Sequence, residues 1–179
     1  MIKIDIGKYI EIAINWLTDH WTPFFDAIDN GVGNFIDALQ QGLAWIPFYI
    51  IIIAIAALAW FKAGKGIGIF TLLGLLLIYA MGFWDSTMVT LALVLSSTII
   101  ALILGIPLGI WCAENKKTEK IVHPILDLMQ TMPAFVYLIP AVLFFGLGNV
   151  PGAFATVIFA MPPVVRLTTL GVKQVPQDI

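Results

Sequence analysis

Proton transfer, metal binding and nucleophilic attack all need polar or ionisable side chains held close together. In these 179 residues the candidates are few and scattered. His20 and His123 lack the paired ligands that a metal site requires. Cys112 is the single cysteine, which excludes an internal disulfide and leaves a zinc site without partners. Asp127 lies in PILDLMQTMP, where Ile121, Ile125, Leu128, Met129 and Met132 form one helical face, so its carboxylate is expected at a solvated or interfacial position. No ionisable residue falls inside the apolar runs, where its cost would mark it as functional. No glycine-rich phosphate loop of the Walker type occurs, so the chain has no means of its own to hydrolyse ATP. Neither catalytic residues nor metal ligands are expected.

The prolines are more informative. Each removes a backbone donor and frees the carbonyl four residues back, at a cost of about 3 kcal/mol in a helix interior. In MQTMPAFVYLIP, Pro133 suits a first helical turn, whereas Pro140 falls inside the same apolar run. Pro107 interrupts an earlier run, and Pro162 and Pro163 sit together in FAMPPVVR. Pro107, Pro133, Pro140, Pro162 and Pro163 are therefore the expected helix breaks. Two readings stand: kinks repaired by local adjustment, or irregular backbone bordering a protein-lined or water-filled path. Phe135, Tyr137, Phe144 and Phe145 are either packing residues or aromatic faces for a desolvated cation. Met129, Met132 and Met161 are either gap fillers or an adaptable apolar lining.

The elements that must position these residues are membrane helices. Hydrophobic residues make up 60% of the chain and charged residues 11%, and mean hydropathy is +0.99, against about 25% charged residues in a soluble domain. A net charge of −2 and the absence of a basic patch exclude a nucleic-acid partner. The opening residues do not read as a signal peptide. Up to about Gly42 the chain carries an apolar helical stripe, Phe25, Ile28, Val32, Phe35, Ile36, Leu39 and Leu43, opposite Asp26, Asp29, Asn30, Asn34, Asp37 and Gln40. This predicts an amphipathic helix packed on the protein or lying at the bilayer surface. Five apolar stretches follow: 45–61, 66–84, 88–113, 133–148 and 152–165. The third would be roughly 39 Å long as a helix, so it must tilt, bend at Pro107 or extend beyond the bilayer.

The cations fix an orientation. Lys62 and Lys65 follow the first stretch, Lys116, Lys117 and Lys120 the third, and Arg166 and Lys173 the fifth. With five spans all three groups fall on one side, which the positive-inside rule makes cytoplasmic and which leaves the N-terminus outside.

The run TLALVLSSTIIALILGIPLGIWCAEN, then PILDLMQTMPAFVYLIPAVLFFGLGNVPGAFATVIFAMPPVVRLTTLGVKQVPQDI, closely resembles the membrane subunit of glycine betaine/proline-type ABC importers. The likeness covers residues 87–179 in near-continuous register. It implies an all-α polytopic bundle with the type I ABC importer transmembrane fold in part, set in the bacterial cytoplasmic membrane. It divides the chain into an extracytoplasmic amphipathic segment, 1–44, two additional transmembrane helices, 45–84, and the first part of the transmembrane domain, 87–179. The implied partners are ATP-binding cassette subunits that hold the ATP and Mg, a second permease copy, an extracytoplasmic substrate-binding protein or fused domain, and the lipid bilayer. The same likeness places Thr131, Met132, Phe135, Tyr137, Met161 and Pro162 along a solute path. Family members continue past the stretch matching KQVPQDI into an EAA-type coupling loop, so the sequence is expected to be the first part of a permease. The competing expectation is a non-transporting scaffold or channel-like assembly protein whose prolines serve only packing.

Overall fold

Segments this apolar must satisfy their own backbone hydrogen bonds, and a helix does so without help from neighbours. The computed structural model describes residues 6–175. Its elements are α1 (Ile6–Trp45), α2 (Phe48–Ala63), α3 (Lys65–Ala80), α4 (Trp84–Glu114), α5 (Lys116–Thr131), α6 (Phe135–Phe145) and α7 (Asn149–Lys173). They fall into two compact units, one made of Met1–Asn34 with Ser97–Ile179, the other of Phe35–Ser96.

The second unit is built on the α2–α3 hairpin. Gly64 joins the two helices at φ +97°, a conformation that other residues rarely adopt, and its N–H closes on the Trp60 carbonyl at 3.1 Å. At the open end the Phe48 and Tyr79 rings stack at 3.9 Å, with Trp84 edge-on to both. Each helix has 16 residues, or about 24 Å of rise, short of a hydrocarbon core of about 30 Å.

In the first unit α4, from Ser97 onward, and α7 run side by side in the same direction. The Ser97 hydroxyl donates to the Ala153 carbonyl at 3.4 Å, and that of Thr169 to the Gly109 carbonyl at 3.0 Å. Glycines make this approach possible. A Cβ on Gly105 would lie 2.7 Å from Val164 Cγ1, and one on Gly109 would lie 2.6 Å from Thr168 Cβ. Bare backbone at the crossing is a common device for packing membrane helices. Parallel α4 and α7 are what the charge-derived parity requires of the third and fifth apolar stretches. The bent α5–α6 pair connects them, its first arm seated on α7 through the buried Cys112, Leu126 and Val165.

The stripe on α1 faces protein: Ile36 is buried, and Phe25, Ile28 and Val32 are half-buried. Phe25 stacks on Phe144 at 4.6 Å, and Ile28 and Val32 line an apolar cavity of about 230 Å³ with residues of α4 and α7. The helix is interrupted at Trp21, two residues before Pro23, where φ is −115° and ψ 15°.

Several expected boundaries shift. Where five spans are expected, the described residues hold two helices, α4 and α7, long and apolar enough to cross a membrane, or up to four spans if each bent helix pair counts as one; α6 has only 11 residues and joins α5 across a 95° bend. The fifth stretch extends through Arg166 to Lys173 instead of ending near 165. Pro107, Pro140 and the Pro162–Pro163 pair lie within α4, α6 and α7 and do not interrupt them. A proline deletes one rung of the ladder, and a helix secured by packing on either side continues past it.

Candidate functional site

The chain does break at Met132–Pro133–Ala134. Proline disfavours helical backbone in the residue before it, and Met132 is extended, with φ −83° and ψ 139°. α5 therefore ends at Thr131, and α6 starts at Phe135 without a side-chain cap. Three donors converge on the Leu128 carbonyl near the end of α5: the Met132 N–H at 3.2 Å, the Thr131 hydroxyl at 3.1 Å and the Tyr137 hydroxyl at 3.3 Å. Carbonyls in a last helical turn lack intrahelical partners, and here side chains on both sides of the bend supply them.

Of the six path residues drawn from the resemblance, Thr131, Met132 and Tyr137 meet around this carbonyl. Phe135 opens α6 and is 70% exposed. The Tyr137 ring also meets Phe159 of α7 edge-on at 6.3 Å. Met161 and Pro162 lie within one helical turn of Phe159. Met161 is half-buried, and Pro162 is sealed inside the chain's own packing, so its surface is closed in this conformation. Phe144 and Phe145 pack against Phe25, and Phe145 also against Phe154, which gives them structural partners.

A polar cleft of about 470 Å³ separates the first arm of the bend from α7. Arg166 Nη2 donates to Asp127 Oδ1, and Lys173 Nζ donates to Glu119 Oε1 at 2.6 Å. Asp127 is thus the exposed carboxylate that its helical face predicts, now with a partner. Glu119 sits in the charged opening turns of α5, outside the apolar segments. The hydrogen bond from Lys173 holds its carboxyl below the ordinary glutamate range, and the electrostatic influence of Lys173, His123 and Lys116 acts in the same direction. The buried Nε of Arg166 and Nε2 of His123 have no protein partner and line the same cleft.

Sequence reasoning did not pair these groups, although two signals were present. Glu119, His123 and Asp127 recur every four residues, and Arg166 and Lys173 are seven apart, so each set shares one helical face. Asn115 is a favoured N-cap type, and its side chain accepts from the N–H groups of Lys117 and Thr118, marking where α5 begins.

Residues 105–179 match the family described as binding-protein-dependent transport system inner membrane component. The chain is 50% identical over 177 residues to the glycine betaine transport system permease protein OpuAB of Bacillus subtilis, covering 99% of this chain and 63% of that protein. It is 45% identical over 176 residues to the glycine betaine/proline betaine transport system permease protein ProW of Escherichia coli, covering 98% and 50%. To the glycine betaine/carnitine transport permease protein GbuB of Listeria monocytogenes it is 47% identical over 180 residues, covering 98% and 64%. The chain thus spans one half to just under two thirds of the length of these relatives.

Proposed function

We propose, from the match of residues 105–179 to the family of binding-protein-dependent transport inner membrane components, that the chain belongs to that family and is part of the membrane permease of an ATP-driven importer for compatible solutes. Glycine betaine and proline-like osmolytes are the solute class. The observation that carries this reading is identity of 45–50% over nearly the whole chain to permeases named for glycine betaine. The scaffold alternative draws no support from relatives that are each named as transport permeases.

The chemistry of the bend suits such a solute. A betaine carries a cation that cannot donate a strong hydrogen bond and a carboxylate that accepts one. The aromatic faces of Phe135 and Tyr137 attract the first, each by about 0.5 to 2 kcal/mol depending on desolvation. The uncapped start of α6 presents the positive end of its dipole to the second. Alternating access would move this bend between the two faces of the membrane. Separate ATP-binding cassette subunits would supply the energy from ATP and Mg, a second permease copy would complete the path, and an extracytoplasmic binding protein or domain would deliver solute. In this arrangement residues 1–44 are extracytoplasmic, 45–84 form two additional membrane helices, and 87–179 begin the transmembrane domain of a multi-pass protein of the bacterial cytoplasmic membrane.

The test is uptake of labelled glycine betaine into proteoliposomes holding the full-length permease and its ATPase subunits. Uptake that requires ATP and is competed by related betaines is the expected result. No ATP-dependent uptake across several betaines would overturn the assignment.

A further inference from the structure

The cleft between α5 and α7 contains a device that the assignment above does not use. α5 is bounded by two joints, the extended Asn115 (φ −125°, ψ 106°) and the extended Met132. Between them it is a single 16-residue helix, seated on α4 and α7 through the buried Leu126. It meets α7 in antiparallel register, Glu119 against Lys173 and Asp127 against Arg166. These pairs join residues 54 and 39 apart in the chain, so they tie separate elements together. Both pairs are partly exposed, and exposed ion pairs are weak. Below the Asp127 rung, the Tyr137 hydroxyl on the Leu128 carbonyl links α5 to α6. Any turn of α5 therefore reaches the bend.

We propose that Glu119–Lys173 and Asp127–Arg166 are a two-rung electrostatic clasp that holds the bent α5–α6 segment against α7 in the conformation seen, and that the rungs part during each transport cycle. The four side chains are positioning residues: they act on the bend through α5 and touch no solute. Two features favour a clasp over a permanent brace. The rungs border an open polar cleft beside the buried Leu126–Val165 contact, and Arg166 leaves its buried Nε unpaired while only one terminal nitrogen engages Asp127. A brace built for stability would satisfy that donor, because buried unpaired polar groups are costly. The proposal rests on the permease reading, and the experiment separates the two.

In the assembled transporter, with Cys112 and every other native cysteine replaced by Ala, Glu119→Cys and Lys173→Cys are bridged by a short, reductively cleavable bifunctional thiol reagent. Before bridging, ATP-driven betaine uptake is expected. After bridging, uptake should fall to the level seen without ATP, and reduction should restore it. A permanent brace would tolerate the bridge, so full uptake by cross-linked protein overturns the clasp. Absence of uptake by the native transporter would instead overturn the permease reading. Should the cysteine pair fail to assemble, spin labels at the exposed Lys120 and Gln174 report the same motion in a protein with both rungs intact. A second, longer distance during ATP turnover is expected, and a single unchanged distance overturns the clasp.

Discussion

The Tyr137 hydroxyl donates to the Leu128 carbonyl at 3.3 Å across the point where α5 and α6 meet at 95°. The carbonyl belongs to the last turn of one helix and the phenol to the first turn of the next, so this bond bridges the two arms. Its ring meets Phe159, which ties the bend to α7 as well.

Tyr137→Phe keeps the ring and deletes the bond. The Leu128 carbonyl retains two donors, so the loss should be about 0.5–1.5 kcal/mol, the net worth of an ordinary hydrogen bond. Thermal unfolding in detergent should register this small loss, while uptake by Tyr137→Phe slows more than its stability change explains. Tyr137→Ala also removes the aromatic face, and a shift in preference among betaines is expected. Unchanged preference at normal expression would assign the residue to packing alone.

Gly109→Ala tests the α4–α7 crossing. The added carbon would fall 2.6 Å from Thr168 Cβ and 2.8 Å from the Val165 carbonyl oxygen, and a backbone atom cannot rotate away. Overpacking of this kind costs about 1–3 kcal/mol. Gly74→Ala is the control, since nothing lies within 4 Å of its added carbon. Thermal unfolding should separate the two variants clearly, and equal behaviour would show that the helices pack more loosely than described.

Pro133→Ala restores a donor at the break and lifts the steric bias that keeps Met132 extended. A bias of about 3 kcal/mol against continuous helix is removed, so α5 and α6 are drawn toward a straighter path. Uptake should fall while thermal stability holds or rises. A parallel loss of stability and uptake would make Pro133 a packing residue only.

The Glu119 rung gives a pH signature. Its folded carboxyl titrates below the ordinary glutamate value because Lys173 donates to it. The contribution is therefore fully present above the unfolded pKa and is lost as pH falls through the lower folded one. The pair is exposed to solvent and screened by salt, so the effect should be small and diminish with ionic strength. Comparing unfolding of the native protein and Glu119→Gln across the acid range should show their difference shrinking as pH drops. A difference that grows toward acid would reverse the sign and exclude this origin.

Local chemistry made much of the molecule legible in its sequence. Apolar runs far beyond a soluble composition demand helices, because backbone in hydrocarbon has no other partner within reach. The three-and-four spacing of Phe25, Ile28, Val32 and Ile36 identifies the inward face of α1, and the cation parity anticipates that α4 and α7 run the same way. Pro133 marks the break because its steric effect acts on its immediate neighbour. Pro107, Pro140 and the Pro162–Pro163 pair carry the same local signal, yet packing holds their helices together, which periodicity cannot foresee. Tertiary structure alone decided that Arg166 and Lys173 belong to a helix facing α5, that Gly105 and Gly109 lie under Val164 and Thr168, and that one carbonyl gathers donors from both sides of a bend. Each of these depends on where the chain returns after dozens of residues, and side-chain type and local spacing do not encode that distance.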